Sequence, residues 1–282
     1  MNDTPHDLPK SIVDTIQPFS QKLVLHRRGS TVWKVDTDQG QFAVKLGWPI
    51  LATEQWPAQE WTARAPAREG AILQQLGPER VSHGVWEGGT WNIQPWRPGV
   101  DLWKLWEHHR SGEPPLPPTM PNLDDALSCA EALELLHQKG VVHGDVQPAH
   151  FILGRTGTFL IDLALAQGAE IPDEYDFPYR GCLVHYEAPE ISRSVLENGT
   201  ATPTMASDLY ALGAALFISA TGWRHVEYPD DASRPEQRKA IAEKPHRPVT
   251  VPGVLGKLIE EMLRPNPGDR PTCAEICADL RS

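Results

Sequence analysis

The chain has 282 residues, 40% hydrophobic and 22% charged, which is enough to bury a sizeable core and ordinary for a globular protein. A formal charge of −11 argues against a nucleic-acid surface or an anionic membrane as partner. Cys129, Cys182, Cys273 and Cys277 show neither zinc-ligand spacing nor a disulfide framework, so a reducing, cytoplasmic setting is expected. The first residues lack the basic and apolar regions of a signal peptide. The longest apolar run, residues 209–220, is interrupted by Gly213 and Ser219 and is too short to span a bilayer, so it is expected as a buried helix.

In chain order, residues 1–20 are polar and read as a tail, with at most one short helix at 9–16. Residues 22–28, 31–36 and 41–46 carry strand patterns, the last two joined by an Asp38-Gln39-Gly40 turn. Residues 48–66 are broken by proline and tryptophan and read as irregular. A helical pattern passes through Glu69, Ile72, Leu73 and Leu76 and stops at Gly77-Pro78. Residues 81–86 and 90–96 form a second hairpin around Gly88-Gly89, and Pro95 and Pro98-Gly99 mark a hinge at 94–99. Beyond the hinge come a short amphipathic helix (101–109), a Pro-rich loop (112–121) and a helix over 122–138 capped by Asn122.

The chemistry is concentrated in Val141-Val142-His143-Gly144-Asp145, then Pro148, His150 and residues 151–153, then residues 159–161 and Asp162. Short apolar runs read as strands, and Gly154-Arg155-Thr156-Gly157-Thr158 folds the last two into a hairpin. Asp145 precedes that hairpin and Asp162 follows it, so the two carboxylates can converge. One can accept a proton while the other holds a cation. Two ordinary loop aspartates are the bland alternative, which the flanking histidine, proline and apolar runs disfavour.

His143-x-Asp145-x-x-Pro148, followed by an aspartate after a hairpin, resembles the catalytic loop and metal-binding segment of protein kinases. His143-Gly144-Asp145 also resembles the loop of aminoglycoside-type phosphotransferases. Phe42-Ala43-Val44-Lys45 matches the lysine strand of kinases, and Glu69 has the spacing of its helical partner, with Glu60 as a rival. Tyr186-Glu187-Ala188-Pro189-Glu190, Asp208 to Gly213, and Arg264 to Thr272 resemble later kinase segments and favour the eukaryotic-like Ser/Thr protein kinase family over residues 22–280.

The resemblance implies an α+β, two-lobed protein-kinase-like fold: a tail (1–20), a β-rich N-lobe (21–96) and a mainly helical C-lobe (97–282). It implies ATP-dependent phosphoryl transfer to a hydroxyl, with ATP and Mg2+ (or Mn2+) as cofactors and a protein, peptide or small-molecule hydroxyl as substrate, and with no nucleic-acid or membrane partner. Asp145 would orient and deprotonate the hydroxyl, and Lys45, held by Glu69, would position phosphates. Asp162 would bind metal, with His150 beside it. Val32, Ala43, Lys45, Gln94, Trp96 and Leu153 would surround nucleotide in a cleft near the hinge.

Departures from the family pattern qualify this reading. His150 stands where kinases have Asn, and three roles are open: a second metal ligand with a manganese preference, a brace for the loop, or the mark of a dead site. Gly144 replaces an arginine that commonly answers an activation-loop phosphate, so no phosphorylation switch is expected. Gln147 replaces a lysine, Asp162-Leu163-Ala164 replaces D-F-G, and Gly29 alone remains of the glycine loop. Glu170, Asp173, Glu174 and Asp176 are expected to solvate a loop. A small-molecule phosphotransferase and a nucleotide-binding pseudokinase are the rival readings.

Overall fold

A computed structural model describes residues 6–52, 58–77, 80–110 and 121–282, so the first residues of the expected tail, Pro78 and nearly all of the Pro-rich loop lie outside the described residues. The chain forms two compact units, one running to Trp96 and including Ala169–Phe177, the other holding Arg97–Gly168 and Pro178–Ser282.

The first unit is built on an antiparallel sheet of β1 (Ser20–Arg27), β2 (Ser30–Thr37), β3 (Gly40–Gly47), β4 (Ser82–Trp86) and β5 (Gly89–Pro95), in the order β1-β2-β3-β5-β4. Period-two alternation sends Trp33, Val35, Phe42, Val44, Leu46 and Ile93 into one core. Helix α1 (Lys10–Ile16) covers that core with Ile12, and Leu8 joins it. The stretch read as a separate tail is thus, from Leu8 onward, part of the first unit. Burying Ile12 stabilises the docked segment by roughly 2 kcal/mol.

Helix α2 (Trp61–Leu76) starts inside the stretch expected to be irregular and keeps Pro66 within it. Proline has no N–H for the i−4 carbonyl, so the helical ladder opens there. Side chains from β5 fill the gap. The Thr90 hydroxyl donates to the Ala63 carbonyl (2.6 Å) and accepts from the Ala67 N–H (3.1 Å), while Asn92 donates to the Pro66 carbonyl (2.8 Å). The β1–β2 turn is also unusual. Arg28 and Gly29 both have positive φ (47° and 74°), the geometry of a tight two-residue hairpin. A Cβ on Gly29 would lie 2.7 Å from the Trp48 carbonyl, so the turn that stands in for a glycine-rich loop is closely docked.

The second unit contains a small sheet, β6 (Val100–Asp101), β7 (Phe151–Gly154) and β8 (Gly157–Leu160), and short helix α3 (Leu102–Leu105). Its helices are α4 (Leu123–His137), α5 (Pro189–Asn198), α6 (Met205–Thr221), α7 (Arg234–Glu243), α8 (Gly253–Met262) and α9 (Cys273–Arg281). Asn122 caps α4 by accepting from the Asp124 N–H, as its position in sequence suggests. Helix α6 is buried along most of its length at the centre of the unit's core. Residues 141–142 do not form the expected strand, and Val142 makes only an isolated bridge to Gln167. All four cysteines are free, and no helix among the described residues is long and apolar enough to cross a membrane.

A buried histidine gives this unit a pH dependence. His225 lies against the Tyr210 hydroxyl (2.8 Å), and burial, with some repulsion from His246, pushes its pKa down to about 3. The unfolded chain binds that proton near pH ~6.5, so the histidine's contribution to stability is present above that pH and is lost as pH falls towards 3. His225→Gln should therefore cost more stability at pH 7.5 than at pH 5, measured as the difference in urea midpoints from the parent chain.

Candidate active site

The catalytic-loop region is fixed from below by Asp208, near the start of α6 and capped by a reciprocal Thr204–Ser207 box. Its carboxylate accepts from the backbone N–H groups of His143 (2.7 Å) and Gly144 (2.9 Å) and lies 3.0 Å from His137 Nε2. Gly144 has φ +75°, and a Cβ there would meet the Leu165 carbonyl at 2.9 Å. The Tyr179 hydroxyl donates to the Gly144 carbonyl (2.7 Å), closing the loop from the other side.

His143 then ties the loop to the hairpin exit. Its Nε2 faces the Ile161 carbonyl (3.0 Å) and its Nδ1 accepts from the Asp145 N–H (3.1 Å), so the ring is neutral with the hydrogen on Nε2. Burial lowers its pKa, in keeping with that form.

Asp145, His150 and Asp162 come together. One oxygen of Asp145 accepts from Gln147 Nε2 (3.1 Å), whereas Oδ1 is buried without a hydrogen-bond partner among the described residues. Burial raises the Asp145 pKa, opposed by His150. His150 Nδ1 lies 2.9 Å from the Asp145 carbonyl and must donate to it, which leaves Nε2 aimed at Asp162 Oδ2, 3.3 Å away. Burial alone would lower the His150 pKa, but the Asp162 hydrogen bond and the charges of Asp162 and Asp145 outweigh it and raise it. Asp162 itself has φ 66°, a left-handed conformation that aspartate tolerates better than most residues, and its side chain is 43% exposed.

Among the described residues no three His, Cys, Asp or Glu side chains form a ready metal cage. A magnesium-type ion bound with phosphates needs only one or two carboxylates from the protein, so Asp162 meets that requirement, and His150 Nε2, which faces Asp162 Oδ2, can join it as a ligand only in the neutral form.

In the first unit Lys45 Nζ lies 2.8 and 2.7 Å from the two oxygens of Glu69. Glu69 is buried and also accepts from Asn92 (3.0 Å), whereas its rival Glu60 is exposed at the head of α2. Val32 pairs with Lys45, Lys45 with Asn92 and Ala43 with Gln94, so all five share one face of the sheet. Gln94 donates to Asn92 (3.2 Å), and Trp96, just past β5, lies under the Lys34 ammonium, 5.2 Å from its ring centre. Leu153 belongs to β7 in the second unit, paired with Val100 and packed on that unit's core.

Further buried contacts support the segment after Asp162. Glu190 and Arg270 form the anticipated pair, bidentate at 2.7 and 2.8 Å. Glu187 carries no signal in the sequence beyond its place in the 186–190 motif. It is fully buried and accepts from Arg238 Nε (2.8 Å) and Nη2 (3.1 Å), Ser192 Oγ (2.7 Å) and the Cys182 N–H (3.1 Å). Asn92 and the His143 tether were missed as well, because each depends on neighbours distant in sequence.

The family model described as Protein kinase domain matches residues 125–280, more than half of the chain. The chain belongs to the protein kinase family. The match takes in Asp145, His150, Asp162, Glu190, Asp208 and Arg270, while Lys45 and Glu69 lie before it. The chain is 32% identical over 159 residues to the serine/threonine-protein kinase PkaA of Streptomyces coelicolor, covering 54% of this chain and 27% of that one. It is 33% identical over 164 residues to the serine/threonine-protein kinase PknK of Mycobacterium tuberculosis (56% and 14%) and 26% identical over 219 residues to the mouse serine/threonine-protein kinase Nek4 (76% and 26%). The chain therefore spans about a quarter or less of the length of these relatives. Its β-rich first unit and helical second unit are the α+β architecture that the family implies.

Proposed function

We propose that this kinase transfers the γ-phosphate of ATP to a serine or threonine hydroxyl of a protein or peptide. The observation that carries the reading is Asp145: a carboxylate whose side chain is 16% exposed, anchored through a tethered loop, with one oxygen, Oδ1, buried and without a hydrogen-bond partner among the described residues. Such an oxygen is suited to accept a hydroxyl proton, and burial that raises its pKa makes it a better base near neutrality. In the first unit, Lys45 would neutralise phosphate charge, and contact with both Glu69 oxygens restricts its ammonium to one position. The sheet face bearing Val32, Ala43 and Gln94, with Trp96 beyond it, would contact nucleotide.

Asp162 and His150 Nε2 would hold a Mg2+ or Mn2+ ion, which when bound neutralises phosphate oxygens. His150 also braces the loop through its Nδ1. Because imidazole suits manganese better than magnesium, His150→Asn should shift the ratio of magnesium- to manganese-supported activity upward, by about tenfold. Equal ratios in parent and variant would remove His150 from the metal.

We further propose that the lobes divide at Trp96 and Arg97, with residues from Leu8 onward in the N-lobe, and that the kinase works in the cytoplasm, as its free cysteines suggest. The test is incubation with radiolabelled ATP, with and without a cell lysate, in each metal. Labelled protein supports the proposal. Label only in small hydroxylated compounds would favour a small-molecule phosphotransferase, and nucleotide binding without turnover in either metal would favour a pseudokinase.

A further inference from the structure

Cys273 and Cys277 are free, buried thiols four residues apart on α9. The residues they meet, with one more, stand three apart on α4. Cys273 Sγ lies 3.6 Å from His137 Nδ1, the Cys277 thiol hydrogen-bonds to Glu134, and Arg281 Nη2 meets Glu131 at 2.6 Å. The two helices therefore run antiparallel and are keyed to each other by three polar contacts, one per turn. The start of α9 is fixed as well. Thr272 and Glu275 form a reciprocal cap, and Arg270 just before it is held by Glu190.

The contact at Cys273 continues beyond the helix pair. The His137 side chain is 8% exposed, and its Nε2 lies 3.0 Å from Asp208 Oδ2, on a side chain 2% exposed. The same oxygen accepts from the His143 N–H, and Asp208 Oδ1 accepts from the Gly144 N–H. An unbroken line of hydrogen bonds thus joins α9 to the loop that carries Asp145: thiol, imidazole, carboxylate, backbone amides.

The ends of that line decide where its protons lie. The Asp208 carboxylate is an acceptor for two backbone amides, so His137 Nε2 donates to it. A neutral imidazole with its hydrogen on Nε2 presents a bare acceptor at Nδ1, and a thiol supplies the donor that acceptor needs. Burial, helped by Cys277 and Asp208, holds the Cys273 thiol well above its ordinary range, so its hydrogen is retained. Without that donor, Nδ1 is a buried acceptor left unsatisfied. The ring is then free to turn or to change tautomer, which takes its N–H away from Asp208.

We propose that Cys273 is a positioning residue for phosphoryl transfer: its thiol fixes the ring state of His137 and, through that ring, seats the Asp208 carboxylate on the backbone of residues 143 and 144. The consequence for catalysis rests on the reading of Asp145 as the base; the hydrogen-bond line itself does not. Helix α9, remote in sequence from Asp145, then supports the active site as well as the core.

The experiment compares the full chain with Cys273→Val, which removes the donor and keeps the bulk, and with Cys277→Val, which removes the thiol one turn along that meets Glu134 instead of His137. Nitrogen-15 NMR of the parent chain should show the His137 ring neutral, with its hydrogen on Nε2. In Cys273→Val, hydrogen exchange of the His143 and Gly144 amides should rise about tenfold relative to the amides of α6, and kcat should fall about tenfold with KM for ATP nearly unchanged. Cys277→Val should leave both at parent values. A His137 ring that is cationic or protonated only on Nδ1 in the parent, parent-like exchange at residues 143 and 144 in Cys273→Val, or equal effects from the two variants would overturn the proposal. If the parent chain shows no turnover, the kinase reading fails, while the ring state and the exchange still decide the hydrogen-bond line.

Discussion

Asp145→Asn should lower phosphoryl transfer by about 100- to 10,000-fold, the range expected for loss of a positioned general base. The substitution is nearly isosteric, and Asn still offers an oxygen to the Gln147 amide. The backbone bond from residue 145 to His143 does not involve the side chain, and the Asp208 brace acts on residues 143 and 144. Fold and nucleotide affinity should therefore survive, with kcat falling and KM for ATP changing little. A loss of nucleotide binding equal to the loss of rate would indicate that the carboxylate serves structure instead of proton transfer. Initial rates and a nucleotide thermal-shift titration on the same preparations separate the two outcomes.

The largest stability effect is expected at Arg238. Arg238→Met leaves Glu187, a carboxylate of zero side-chain exposure, without its cation, which costs about 3–5 kcal/mol. In a chain of this size that corresponds to a fall in Tm of roughly 5–8 °C. The penalty comes from stranding a charge, so it should be largely relieved when the charge goes too. Glu187→Gln combined with Arg238→Met should recover most of the stability, because the Gln oxygen still accepts from the Cys182 N–H and its amide N–H can donate to Ser192 Oγ, whose hydroxyl can turn to accept. Thermal melts of the two single variants and the double variant provide the cycle. A loss below ~1 kcal/mol for Arg238→Met alone would place the pair among surface-type bridges of small net worth.

Much of the fold was legible because its signals are local. Alternation marked the strands, Asn122 marked the start of α4, and the apolar run at 209–220 marked the buried helix α6. The kinase-type motifs were equally readable: Lys45 with Glu69 and Glu190 with Arg270 each stand in contact. The misreadings share a physical cause, which is support from residues distant in sequence. Pro66 breaks a helix by local rules, but Thr90 and Asn92 repair it from β5. Residues 8–16 look like a polar tail until the sheet supplies a face for Leu8 and Ile12. Asp176 reads as a solvated acid because nothing in its neighbourhood announces its partner, Arg68. Glu187 is paired with Arg238 of α7, 51 residues further along the chain. For His150 the residue type alone left three roles open; the hydrogen bond to the Asp145 carbonyl assigns Nδ1 to the loop and frees Nε2 for Asp162.

The most direct measurement is mass spectrometry of proteins incubated with ATP and the full chain, in magnesium and in manganese, beside the same reaction with Asp145→Asn. New phosphoserine or phosphothreonine sites that appear with the parent chain and vanish with the variant are the expected result. Equal phosphorylation by the variant, or no phosphorylation by the parent chain in either metal, would contradict it.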